Sequence, residues 1–141
     1  MHSIYQDRLL DLARHVREQK ATPLETPTHS AEVNNPVCGD YIGASIIIKN
    51  NVIVAAHANA KGCALCEAGA GLWLNSVAGQ TMSSLTDYHD ALTSWLAGQE
   101  NQNNNVVFAF GLDSFAPVRA IKNRHKCVTL AFSTADKFKK I

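Results

Sequence analysis

The chain has 141 residues, enough for one domain with a sizeable core, and 46% hydrophobic against 18% charged residues mark a folded globular protein. Thirteen Lys and Arg stand against twelve Asp and Glu, so no polybasic field exists, and neither nucleic acid nor membrane is expected as a partner. The apolar runs Ile46 to Ile48 and Val52 to Ala56 are too short to span a bilayer, and the charged stretch Met1 to Lys20 lacks a secretory signal core.

A cytoplasmic protein forming one domain over residues 1–141 is therefore expected. In a reducing compartment its four cysteines, Cys38, Cys63, Cys66 and Cys127, are expected to be metal ligands or reactive thiols rather than disulfides.

Residues 3–19 have the pattern of an amphipathic helix, with Ile4, Leu9, Leu12, Ala13 and Val16 at helical spacing and Ser3 as its cap. A polar loop with Pro23 and Pro27 follows, with a short strand near Ala31 to Val33. Tyr41 to Lys49 and Val52 to Asn59 predict an antiparallel hairpin, because Asn50-Asn51 tolerates the left-handed backbone of a tight turn. Cys63 to about Val77 predicts a helix stopped by Gly79, and Gly69 and Gly71 inside it imply close packing against a neighbour.

A second helix is predicted from Asp87 to Leu96 with Thr86 as cap, followed by a polar loop from Gly98 to Asn105. Val106 to Leu112 forms a short apolar element of undecided type. A final helix is expected over about Val118 to Phe138, carrying Cys127. The fold class is α+β, a small antiparallel three-stranded sheet packed against several helices.

Hairpin pairing brings the flanks of the two strands together, so Cys38 and Cys63 should be neighbours. Asp40, two residues from Cys38, points to the same side of extended chain, while Cys127 must arrive from a distant segment. Thiolates suit zinc and iron–sulfur chemistry, and a carboxylate among them makes a harder, more exchangeable ligand. Gly39 and Gly62 let the backbone turn tightly around an ion. Cys63 at a helix start should have a lowered thiol pKa, with Lys61, Arg124 and Lys126 adding positive charge near two of the thiols. Cys66 is balanced between a buried hydrophobe and an additional ligand.

Three motifs in order carry a family resemblance. Asn35-Pro36-Val37-Cys38-Gly39-Asp40 matches the Asn-Pro-x-Cys-Gly-Asp motif of the IscU/SufU/NifU N-terminal domain family. Lys61-Gly62-Cys63-Ala64-Leu65-Cys66-Glu67-Ala68 resembles its second motif, which has Ser where Cys66 stands. Arg124-His125-Lys126-Cys127-Val128-Thr129-Leu130-Ala131 resembles its third. Lys126 in place of His, Arg124, and the long gap from Cys63 to Cys127 resemble the SufU type, whose insertion would be about Thr81 to Asn105.

The resemblance implies a SufE/NifU-like fold and a resting Zn²⁺ held by Cys38, Asp40, Cys63 and Cys127. It also implies persulfide acceptance from a SufS-like cysteine desulfurase, or transient assembly of a [2Fe–2S] cluster. Recipients would be apo iron–sulfur proteins or other assembly factors. Such a chain is a scaffold or a sulfurtransferase-like acceptor. Cys38 is assigned as the sulfur acceptor, with Cys127 the other candidate catalytic thiol. Two alternatives stay open: a thiol–disulfide redox protein using Cys63-x-x-Cys66, and a non-enzymatic zinc-stabilised interaction domain.

Overall fold

The spacing of apolar residues in the first helix sets the face on which the rest of the chain packs. The computed structural model describes residues 3–99, 108 and 111–141. Helix α1 runs Ser3–Gln19. Leu9, Leu12, Ala13 and Val16 are buried as one stripe, at i, i+3, i+4 and i+7.

Strands β1 (His29–Asn35), β2 (Asp40–Lys49) and β3 (Val52–Lys61) form an antiparallel meander. A two-residue strand β4 (Lys139–Lys140) pairs with the start of β1, giving the order β3-β2-β1-β4. The expected three strands are therefore present with a short added edge, and β1 is longer than its sequence suggests. Asn50 and Asn51 both adopt positive φ, 53° and 65°, as the predicted turn requires.

The buried face of β2 is Ile42, Ala44 and Ile46, an alternation of period two. In β3 the alternation breaks. Ile47 pairs with Ala55 and Ile48 with Ile53, so Val54 is an extra residue at a bulge and is 50% exposed. The bulge reverses the parity of β3, which lets Ile53 at one end and Ala58 and Ala60 at the other all face the core. The free edge of β3 is held by the Gln19 side-chain amide. Its Nε2 donates to the Ala58 carbonyl, and its Oε1 accepts the Ala58 N–H at 3.1 Å.

Helix α2 (Ala64–Val77) is buried nearly all round, with Cys66, Ala68, Gly69, Ala70, Gly71, Leu72, Trp73, Ser76 and Val77 inside. The two glycines pack as expected. A Cβ on Gly71 would collide with the Leu12 carbonyl of α1, and one on Gly69 would collide with the Val128 carbonyl. After the helix, Gly79 at φ 85° donates to the Ile53 carbonyl, and Ile53 donates to Gln80, both at 2.8 Å.

Two predicted helices differ from what is found. Helix α3 spans Met82–Leu96 with Thr81, not Thr86, at its N-cap. The stripe Leu85, Tyr88, Leu92 and Leu96 extends burial one turn earlier, and this outweighs the turn-like Ser83-Ser84. The single helix expected over 118–138 is instead three 3-10 segments, Leu112–Ala120, Lys122–Arg124 and Phe132–Asp136, around a short helix α4 (His125–Thr129).

Polar side chains take the carbonyls that a continuous helix would use. His125 Nε2 shares its proton between the Val118 and Arg119 carbonyls, each 3.1 Å away. The Ser133 and Thr134 hydroxyls donate to Leu130 and Ala131. Pro117 lies in the first segment.

The loop expected over Gly98 to Asn105 lies outside the described residues beyond residue 99, as does most of Val106 to Leu112. Phe108 packs edge-on against Tyr88 and Phe132, at 5.2 and 5.8 Å between ring centres. No helix among the described residues is long and apolar enough to cross a membrane.

Gly69→Ala tests the contact that seats α4. Helix propensity favours Ala by about 1 kcal/mol, but overpacking against a backbone carbonyl costs about 1–3 kcal/mol or more. The expected result is a lower urea midpoint with unchanged m-value; a midpoint at or above wild type contradicts the packing.

Candidate functional site

The β1–β2 turn is built by Asn35 and Gly39. Asn35 Oδ1 accepts the Val37 N–H at 3.3 Å, and Gly39, at φ 75°, donates to the Asn35 carbonyl at 2.8 Å. The turn carries Cys38 outward, where it is exposed, beside Val37 at 89% exposure. Asp40 closes the turn opposite Asn35 and points inward, with only 2% of its surface exposed.

β3 ends opposite β2 at Tyr41 and Lys61, so Gly62 and Cys63 emerge at the same end of the sheet. The Cys63 N–H donates to Asp40 Oδ1 at 3.2 Å. Gly62 is required there: a Cβ at this position would overlap the Asp40 carboxylate, and its φ of 153° is unusual for any other residue. α4 supplies Cys127, which is fully buried.

The Cys38 thiol, an Asp40 carboxylate oxygen and the Cys127 thiol lie within 4.8 Å of one another. These are three of the four ligands expected, brought from two distant parts of the chain. The close set does not include Cys63. Its thiol is half-buried beside Asp40 and Cys127, and its main-chain amide orients the carboxylate. Cys66, the additional candidate, lies wholly in the hydrophobic core and outside this set.

Burial pushes the Cys66 thiol up to about 12, and the neighbouring Asp40, Cys63 and Glu67 charges act in the same direction. Burial also raises the Cys127 thiol, followed by the Asp40 carboxylate and Cys63 beside it. The positive charge expected to favour the Cys127 thiolate does not prevail. Arg124 and Lys126 are exposed, and Lys61 sits over the Tyr41 ring at 5.8 Å.

The site fits a thiophilic cation on its own evidence. Asp40 Oδ2 is buried without a hydrogen-bond partner, and the Asp40 carboxylate lies within 4.8 Å of two thiols. An unpaired buried carboxylate oxygen is costly, and a cation removes that cost. Two sulfurs and a carboxylate oxygen at this spacing, with a third sulfur adjacent, match the donor types zinc prefers. Sequence patterning missed the role of the Cys63 main-chain amide; the only signal for it was the glycine just before.

The NifU-like N-terminal domain family model matches residues 4–107. The chain belongs to this family. It is 18% identical over 137 residues to the zinc-dependent sulfurtransferase SufU of Bacillus subtilis, covering 97% of this chain and 90% of that protein. It is 26% identical over 104 residues to the iron–sulfur cluster assembly scaffold protein IscU of Streptococcus pyogenes, covering 74% of this chain and 64% of that protein.

Two crystal structures agree in fold. One, described as an iron–sulfur cluster assembly scaffold protein for the SUF system from Fervidobacterium islandicum, superposes with a TM-score of 0.78 at 22% identity, over 96% of each chain. The N-terminal part of a NifU-like protein from Brucella abortus superposes with a TM-score of 0.71 at 24% identity, over 92% of this chain and 88% of that one. The small sheet backed by helices is the NifU-like architecture.

Gly62→Ala tests the cradle. The added methyl displaces the Asp40 carboxylate, so the purified variant should retain wild-type far-ultraviolet circular dichroism and lose most of its bound metal by elemental analysis. Full metal content in a folded Gly62→Ala protein contradicts the arrangement.

Proposed function

We propose that this chain is an iron–sulfur cluster assembly protein that holds zinc at Cys38, Asp40, Cys63 and Cys127 and accepts persulfide sulfur from a cysteine desulfurase. The observation that carries this reading is the convergence of Cys38, Asp40 and Cys127 at one end of the sheet, with one thiol exposed and one carboxylate oxygen buried and unpartnered. Membership of the NifU-like family, with relatives named for sulfur transfer and for cluster assembly, supports it.

A zinc ion bound there keeps its thiol ligands as thiolates at neutral pH. Cys63, whose main-chain amide holds Asp40, would be the fourth donor. Asp40 is the hard ligand of the set and the one that exchanges most easily.

Cys38 is the acceptor. It stands on a protruding turn, so a partner's persulfide can reach it without opening the core. Freed from the ligand set, its thiolate attacks the terminal sulfur of the desulfurase persulfide. A new sulfur–sulfur bond forms at Cys38, the old one breaks, and the desulfurase cysteine leaves as a thiol carrying the persulfide proton. No electrons are gained or lost overall. Cys127, buried behind Cys38, keeps the site closed on its inner side. Apo iron–sulfur proteins or other assembly factors then receive the sulfur.

Metal and acid-labile sulfide analysis of protein purified without oxygen tests this reading. About one zinc per chain and no sulfide is the expected result. Iron and sulfide in equal amounts, with a visible absorption band, would make the cluster the cargo and the chain its scaffold. Full folding with no metal overturns both. Cys38→Ser should abolish sulfur transfer from a cysteine desulfurase supplied with radiolabelled cysteine, while leaving the chain folded.

A further inference from the structure

We propose that Cys63 and Cys66 form a dithiol that discharges sulfane sulfur from the site as sulfide. This rests on the sulfur-acceptor reading and extends it from carrying sulfur to reducing it. Cys66 is the one thiol that the metal site leaves unused, and it stands where the family motif has Ser.

The geometry carries the inference. Cys63 is the N-cap of α2, with ψ at 167°, and Cys66 is the third residue of the helix. The Cys63 carbonyl accepts the Glu67 N–H at 3.1 Å, so the first turn is closed and regular. Side chains three apart on such a turn have Cβ atoms about 5–6 Å apart, and a disulfide needs about 3.5–4.5 Å between them, so roughly 1–2 Å remains to be closed. Rotation about the non-helical ψ of Cys63 supplies the remaining approach.

One thiol is half-buried at the helix start, and the other is buried one turn on. This is the arrangement of a Cys-x-x-Cys dithiol, in which the outer cysteine takes the incoming sulfur and the inner one resolves it. The Cys63 main-chain amide holds Asp40, whose carboxylate lies within 4.8 Å of the Cys38 thiol. The Cys63 sulfur attacks the outer sulfur of a Cys38 persulfide, the Cys38–sulfane bond breaks, and Cys38 leaves as a thiol with the proton that Cys63 gives up.

The step balances without an external oxidant. A persulfide on Cys63 holds one sulfane sulfur. The Cys66 sulfur attacks Cys63 Sγ, the Cys63–sulfane bond breaks, and hydrosulfide leaves with the proton that Cys66 gives up. The sulfane sulfur gains two electrons, and the two thiols lose two as they become the Cys63–Cys66 disulfide. An external dithiol reductant then restores both thiols. The released sulfide is the oxidation state that cluster building consumes.

The test loads the full-length protein chemically, which removes any dependence on a desulfurase. Zinc is removed with chelator, the protein is treated with inorganic polysulfide, and excess reagent is removed by gel filtration without oxygen. Sulfide release and thiol state are then followed without added reductant. Wild type should release sulfide as a Cys63–Cys66 disulfide appears in alkylated peptide maps. Cys66→Ser should keep its added sulfur and release sulfide about tenfold more slowly or less, since no second thiol resolves Cys63.

Equal release from Cys66→Ser overturns the proposal, and so does a wild-type disulfide that joins any other pair. The peptide map of wild type decides the matter even if the variant folds poorly. Failure of desulfurase-driven loading, with chemical loading and release intact, would count against the acceptor reading and leave the dithiol standing.

Discussion

A buried carboxylate holds this molecule's chemistry together. Asp40 places one oxygen on the Cys63 main-chain amide and leaves the other unpartnered among thiols. Everything that meets at the site does so around that side chain. The β1–β2 turn ends on it, β3 delivers Gly62 against it, and α4 closes over it with Cys127. An orphaned buried oxygen is tolerated where something else is meant to satisfy it. A divalent cation would do so while drawing the thiols into the same shell.

The supporting fold is arranged to make that meeting rigid on one side and open on the other. Gly69 and Gly71 let α2 lie directly on the backbones near Val128 and Leu12, so the helix that starts at the site is wedged between α4 and α1. Gln19 ties α1 to the outer edge of β3. Cys127 therefore arrives from a fixed, buried position. Cys38 rides on a short exposed turn, with Val37 standing clear of the surface beside it. The asymmetry suits the sulfur-acceptor role proposed above: donors that stay in place and one thiol that a partner can reach.

Much of this was legible in the sequence because the signals were local. The Asn50-Asn51 turn, the helical stripe of α1 and the two small residues in α2 each follow from the conformational limits of a few adjacent residues. The candidate ligands were picked out by motif order, although the family match extends only over residues 4–107 and leaves Cys127 to the third motif and to geometry. Part of what could not be read was non-local. Parity in β3 depends on a bulge at Val54. The break around Cys127 was missed for a local reason: His125, Ser133 and Thr134 take main-chain carbonyls three to seven residues back, a competition that apolar periodicity does not show. The charges of Arg124 and Lys126 looked decisive beside Cys127 in one dimension. In three they are exposed, while the thiol is buried beside Asp40.

On the proposed reading Asp40 and three cysteines share one ion, although Cys63 lies outside the closest set. X-ray absorption at the zinc edge of the intact, anaerobically purified protein tests it directly. The expected spectrum has three sulfur neighbours near 2.3 Å and one oxygen neighbour near 2.0–2.2 Å, about the distances usual for zinc. The oxygen should be lost in Asp40→Ala while the sulfurs remain. Four sulfur neighbours would place Cys66 in the shell instead of Asp40, and a shell of nitrogen and oxygen alone would remove the cysteines from the site; either result contradicts the account.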